Sequence, residues 1–187
     1  MSTTRPGPRE RLLEAARDLT YREGVHVGVD AILRQADVAR RSLYQHFGGK
    51  DGLIAEVLRL AADKGRYRAV MDAAGDDPHA RILAVFDELE RITTDPAFNG
   101  CRYTSADMAL TNRDHPAHAE IRRYKDGLHA LFTHELTHFG HPEPELGATQ
   151  LLVLVDGVLA HAVTRPDAHP ALAARKTAEL VLAAAGR

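Results

Sequence analysis

The chain has 187 residues, of which 44% are hydrophobic and 27% charged, with a formal net charge of −2. That length can bury a core in one or two domains, and the composition is that of an ordinary soluble chain, not a disordered or membrane one. No apolar run approaches the roughly 20 residues of a membrane-spanning helix, residues 1–11 have no apolar signal core, and the single cysteine, Cys101, excludes an internal disulfide, which together favour the cytoplasm.

The pattern is helical throughout, with Ala, Leu, Arg and Glu dominant and no sustained alternation of β-branched residues. Residues 1–7 read as a weakly basic arm. A first helix is expected over 8–22, opened by Pro8 and closed before Gly24, with Leu12, Leu13, Ala16 and Leu19 as its apolar stripe. A short second helix over 29–35 turns Ile32, Leu33 and Ala36 inward. A third spans 39–46, with Leu43 and Phe47 inward. A fourth starts near Lys50 and carries Leu53, Val57, Leu60 and Ala61 on one face. Gly75 to Pro78 breaks the chain before a helix that runs to Thr93. Helices follow over 101–110, from His115-Pro116 to 139, over 146–164 and over 170–185.

Charge is unevenly spread. Residues 1–50 carry nine Lys and Arg against six Asp and Glu, and the remainder fifteen against twenty. A basic head on an acidic body suits a phosphate-binding module attached to something else. The second and third helices are too short to be stable alone. Two such helices across a tight turn, braced by a longer first helix, form a helix-turn-helix, whose second helix enters the DNA major groove. Arg40 and Arg41 sit in its first turn, and arginine reads guanine with a bidentate fork. Gln45 suits adenine, while Ser42, Tyr44 and His46 offer polar groups to phosphates. Lys50 at a helix N-terminus opposes the helix dipole, a penalty that a phosphate docked beside Gly48 and Gly49 would reverse.

The stretch from Gly28 to Leu53, GVDAILRQADVARRSLYQHFGGKDGL, resembles the head of tetracycline-repressor (TetR) family regulators. The resemblance rests on Ile32, Ala36, Val38, Ser42-Leu43-Tyr44, His46-Phe47, Lys50 and Leu53. It implies that Arg40, Arg41, Ser42 and Gln45 face bases and that Tyr44, His46 and Lys50 hold phosphates. Three departures stand out, one of them Arg41 where a small residue is common, which implies a changed operator sequence and not a changed mechanism. Asp37 occupies a turn position where Gly is usual, and Asp tolerates the left-handed conformation better than most residues. Gly28 replaces the usual Ser or Thr cap. The expected fold is all-α: a three-helix helix-turn-helix DNA-binding domain over 1–50 and a helical ligand-binding and dimerisation domain over 51–187.

Such a head reads few base pairs, so a two-fold dimer on a palindromic operator is expected. The last two helices are its candidate interface, with Leu151, Leu152, Leu154, Val155, Val158 and Leu159 on one and Ala171, Leu172, Ala174, Ala178, Val181, Leu182 and Ala185 on the other; the alternative is that these stripes pack within one chain. Residues 98–103 resemble a Gly-Cys-Pro segment of one TetR subgroup, with Arg102 replacing Pro. Candidate liners of a small-molecule site are Phe86, Leu89, Cys101, Tyr103, Met108, Tyr124, Leu128 and Phe132. Asp156, within an apolar run, requires a structural partner or a ligand.

His134-Glu135-Leu136-Thr137-His138 matches the H-E-x-x-H zinc-protease motif, in which two His one turn apart grip the metal and Glu serves as base. His141 offers a third ligand, and the milder form of the reading is a metal-responsive regulator. Eleven histidines make such spacings common by chance, and the helix is expected to stop at Gly140 without the longer zinc signature. No enzyme activity, cofactor or metal is therefore expected. The partners expected are double-stranded DNA, an effector of unknown identity and a second copy of the chain, with no membrane.

Overall fold

The computed structural model describes residues 5–61 and 65–184. Among these, ten α-helices and one 3-10 turn account for the regular structure: α1 Pro8–Glu23, α2 Val29–Ala36, α3 Arg40–Phe47, α4 Lys50–Arg59, α5 Arg66–Ala73, α6 Pro78–Thr93, α7 Arg102–Ala109, α8 Ala117–Phe139, α9 Pro144–Thr164 and α10 Pro170–Ala183, with the turn at Pro166–Ala168. The expected helices therefore form, with ends displaced by two residues or fewer. Ala185, assigned above to the last helix, lies outside the described residues. One helix is absent from the sequence reading: α4 stops at Arg59, and α5 is a separate element that buries Tyr67 and Met71. Leu60, expected inward, is the C-cap of α4 and is 48% exposed; Ile54 and Leu58 are buried instead.

The chain forms two compact units. The first comprises residues 1–61 together with 102–122, the second residues 62–101 and 123–187. The boundary expected at residue 50 thus falls inside the first unit, because Leu53 and Val57 of α4 belong to the same core as α1, α2 and α3.

In the first unit α1 is the brace. Pro8 stands in its first turn, where its missing N–H costs nothing. Leu12, Ala15, Ala16 and Leu19 are buried at helical spacing. They meet Ile32, Leu33 and Ala36 from α2, Leu43 from α3 and Leu53 and Val57 from α4. The segment 102–122 adds α7, whose buried Tyr103 donates its hydroxyl to the Leu58 carbonyl at 3.2 Å. The guanidinium of Arg102 lies over the Tyr21 ring at 4.8 Å.

The second unit packs α9 and α10 on α6. Asp77 caps α6, its carboxylate accepting from the N–H groups of His79 and Ala80. Leu151, Val155, Val158 and Leu159, together with Ala171, Ala174, Ala178 and Leu182, are buried in the unit's own core. These residues of the two stripes fold the unit itself, the alternative that the sequence left open, while Leu152, Leu154 and Val181 are partly buried against the same core. Leu172, assigned to that contact, stays exposed, as do Val153 on α9 and Leu180 on α10. The 21-residue α9 contains an 18-residue stretch of mean hydropathy 1.6 and is long and apolar enough to cross a membrane by length and composition. That corrects the sequence reading of apolar runs, although one face of α9 is occupied by this core. Asp156 on α9 has the partner it required, the ammonium of Lys125 from α8.

Candidate nucleic-acid interface

The turn between α2 and α3 is built by Asp37. Its backbone is left-handed, at φ 51° and ψ 55°, and its N–H and that of Val38 return to the carbonyls of Arg34 and Leu33, both at 3.2 Å. Arg11 of α1 holds the same corner. One of its terminal nitrogens donates to the carbonyls of Ala36 (3.0 Å) and Asp37 (2.8 Å), satisfying groups that the end of a helix leaves open. The Asp37 carboxylate pairs with Arg5 and Arg11, and the hydrogen bond from Arg5 is the first cause holding its pKa below the usual carboxylate value.

From that corner α3 leaves with Ala39 as its N-cap, and the Ser42 N–H bonds to the Ala39 carbonyl at 2.9 Å. Leu43 is buried and Phe47 packs against the core. Arg40, Arg41, Tyr44, Gln45 and His46 are exposed, with Tyr44 at 57%, and Ser42 is half-buried. Burying the Leu43 side of so short a helix leaves its other sides to water, and those sides carry every α3 residue assigned to DNA. A contact that the sequence does not reveal is Arg40 to Asp30: a terminal nitrogen donates to the carboxylate at 2.5 Å, from the first turn of α3 to the first turn of α2. The available signal is opposite charge in two first turns that this motif brings together, which is too weak to act on from sequence.

The joint between α3 and α4 uses two glycines at positive φ, Gly48 at 71° and Gly49 at 141°. The Gly48 N–H closes α3 on the Tyr44 carbonyl at 3.0 Å, so it is not open to a phosphate as expected. Lys50 opens α4 half-buried; burial lowers its pKa from the usual lysine value, with nearby Asp51 acting the other way. The first N–H groups of any helix lack intrahelical partners, so the start of α4 still suits an anion beside Lys50. Gly52 has a further duty. A Cβ at this position would lie 2.0 Å from the Phe47 carbonyl oxygen, so α3 and α4 approach as closely as they do only without a side chain there.

The candidate ligand residues do not all converge. Phe86, Leu89, Leu128 and Phe132 are buried in the core of the second unit, with Tyr124 and Cys101 packed against it. Tyr103 belongs to the first unit and is committed to Leu58, and Met108 stands on α7 at 82% exposure. Grouping those two with the others follows from their apolar character, which does not distinguish one core from another.

The H-E-x-x-H segment also resolves into separate parts. His134 and His138 are exposed, with ring centroids 4.2 Å apart, and Nδ1 of His138 lies 2.9 Å from the His134 carbonyl. Glu135 is buried and receives the Arg81 side chain at 2.9 Å. Arg81 also donates to the carbonyls of Met71 and Gly75, so the glutamate anchors a structural arginine and does not face the imidazoles as a base would. His141 uses both ring nitrogens, one accepting from the Glu143 N–H and the other 3.1 Å from the Val181 carbonyl.

Fold and site together define an all-helical protein with a helix-turn-helix head. The profile of the bacterial regulatory proteins of the tetR family matches residues 12–57. A tetR-type transcriptional regulator of Streptomyces avermitilis, sav143, is 38% identical, with 97% of this chain and 99% of that chain covered and a TM-score of 0.84. SCO4454, a TetR-family transcriptional regulator of Streptomyces coelicolor, is 28% identical, with 96% of each chain covered and a TM-score of 0.85. A cysteine mutant of the TetR-family regulator CifR, solved with a 26-base-pair operator, is 21% identical, with 97% of this chain and 99% of that chain covered and a TM-score of 0.77. No curated protein matches the chain. The chain belongs to the TetR family of transcriptional regulators, which are DNA-binding transcription factors and not enzymes.

Proposed function

We propose that the chain is a homodimeric repressor that holds a palindromic operator through two heads and leaves it when a small molecule binds in the second unit. The observation that carries the DNA-reading part is α3, which buries Leu43 and keeps Arg40, Arg41, Tyr44, Gln45 and His46 exposed. In this reading Arg40, Arg41, Ser42 and Gln45 meet base edges, and Tyr44, His46 and Lys50 meet phosphates. The operator-bound CifR structure supports duplex DNA as the partner. Exposed apolar residues of the last two helices support the dimer: Val153 lies one turn from exposed Gly157 on α9, where a small residue permits close helix approach, and Leu172 and Leu180 stand exposed on α10. Phe86, Cys101, Tyr124, Leu128 and Phe132 are the residues retained as candidates for the effector, in a protein that works in the cytoplasm.

Release is a population shift. The effector favours a state in which α4, which ends just before the chain enters the second unit, holds the heads at the wrong spacing. The size of that shift is bounded by the effector's differential affinity for the two states. Selection of genomic fragments by the purified protein tests the reading. Enrichment of a palindrome, bound as a dimer and well above random DNA at the same salt, is the expected result. Binding that is blind to sequence and only salt-dependent would overturn it.

A further inference from the structure

We propose that Asp30 is a specificity-determining positioning residue that sets the guanidinium of Arg40 for base reading; this rests on the DNA-reading role given to Arg40 above. The two side chains come from the first turns of α2 and α3, ten residues apart in sequence, and meet at 2.5 Å. Both are about half-exposed or more, and an exposed pair of this kind adds little to folding stability. Its consequence is orientation. The contact occupies one terminal nitrogen of a guanidinium that has five N–H donors in a fixed plane, so a second edge remains for a bidentate contact to guanine. Arg41, next in the chain, makes no ion pair among the described residues, so only one arginine of the adjacent pair has a partner that orients it.

An arginine that is already oriented loses less rotamer freedom when it meets its base, and that saving is made only on DNA carrying the base it reads. Asp30 therefore acts on discrimination at one operator position. The charge of Asp30 has a separate effect, because removing it lessens repulsion of phosphates on every sequence alike. That uniform effect cancels when affinities for two operators are divided.

The test compares full-length wild type, Asp30→Asn, Arg40→Ala and the double variant on a library built from the selected palindrome, with thermal unfolding of each as a check of folding. Arg40→Ala locates the base pair that Arg40 reads. Asp30→Asn is expected to lower discrimination at that same base pair by about 1.5- to 5-fold, the range an exposed ion pair can supply. It should leave the position read by Arg41 unchanged, and it should add nothing to Arg40→Ala in the double variant. An Asp30→Asn profile equal to wild type at the Arg40 position, whether or not affinity rises uniformly, overturns the role of Asp30 alone. An Arg40→Ala profile equal to wild type overturns the reading of Arg40 and this inference with it.

Discussion

Replacing Gly52 with alanine puts one methyl group where α3 and α4 pass closest. The added Cβ would stand 2.0 Å from the carbonyl oxygen of Phe47, a backbone atom that cannot swing aside as a side-chain tip can. Carbon-to-oxygen contacts of the tolerated kind begin near 3.3 Å, so the helices must separate by roughly 1.3 Å at this point. Overpacking of this order costs about 1–3 kcal/mol, against a gain of about 1 kcal/mol from replacing a helical glycine by alanine. A 2.0 Å approach to a backbone atom puts the cost in the upper part of that range, so the net expectation is a first unit destabilised by about 1–2 kcal/mol, or roughly 2–8 °C in the unfolding midpoint for a chain of this size. Gly127, exposed inside α8, is the matched comparison: a Cβ there meets nothing within 4 Å, so Gly127→Ala should stabilise by about 0.5–1 kcal/mol. Thermal unfolding followed by circular dichroism reads both variants. If Gly52→Ala unfolds at or above the wild-type temperature, the close approach is not a constraint and the account of the α3–α4 joint is wrong.

Three further expectations concern charge. Arg41→Ala should relax the operator preference at one base pair by about 1–3 kcal/mol in competitive binding, and an equal loss on all sequences would refute base reading by Arg41. Lys50→Ala should weaken binding to every sequence and reduce the slope of log affinity against log salt by about one ion; an unchanged slope refutes the phosphate contact. Glu88, buried in the second unit, is held below the ordinary glutamate range, first by its hydrogen bonds with Arg91 and then, against the opposing effect of burial, by the charges of Arg91 and Arg66. A lowered carboxylate contributes stability that is complete above the unfolded pKa and disappears as pH falls through the folded one. The stability gap between wild type and Glu88→Gln should therefore be constant near neutrality and shrink below about pH 4.5. A gap that widens on acidification would mean that Glu88 does not serve as the anion of this cluster.

The head is legible in the sequence because its determinants are local. Leu43 and Phe47 fix which side of α3 turns inward, and that choice alone leaves Arg40, Arg41, Tyr44, Gln45 and His46 outside. Asp37 announces a left-handed corner through residue type, and it occupies one. What stays hidden depends on partners far along the chain. The Arg5–Asp37 and Arg40–Asp30 pairs require the turn to be closed before they exist. The motif at 134–138 resembles a site because spacing shows which residues share a helix face but not what lies opposite; Arg81, more than fifty residues earlier, commits Glu135 elsewhere. The apolar stripes of α9 and α10 do mark buried residues, but the same pattern serves a fold and an interface equally well, so it does not point to the exposed face with Val153 and Leu180.

The first unit is discontinuous in sequence, since residues 62–101 are inserted between α4 and α7. This bears on exchanging operator preference between relatives. A graft cut at residue 61 would carry α1 to α4 but leave behind Tyr103, whose hydroxyl holds the Leu58 carbonyl, and Arg102, which lies over Tyr21. A working chimera needs both segments, 1–61 and 102–122, from the same parent. In this unit the length of chain that reads DNA and the length that must be inherited together are different quantities.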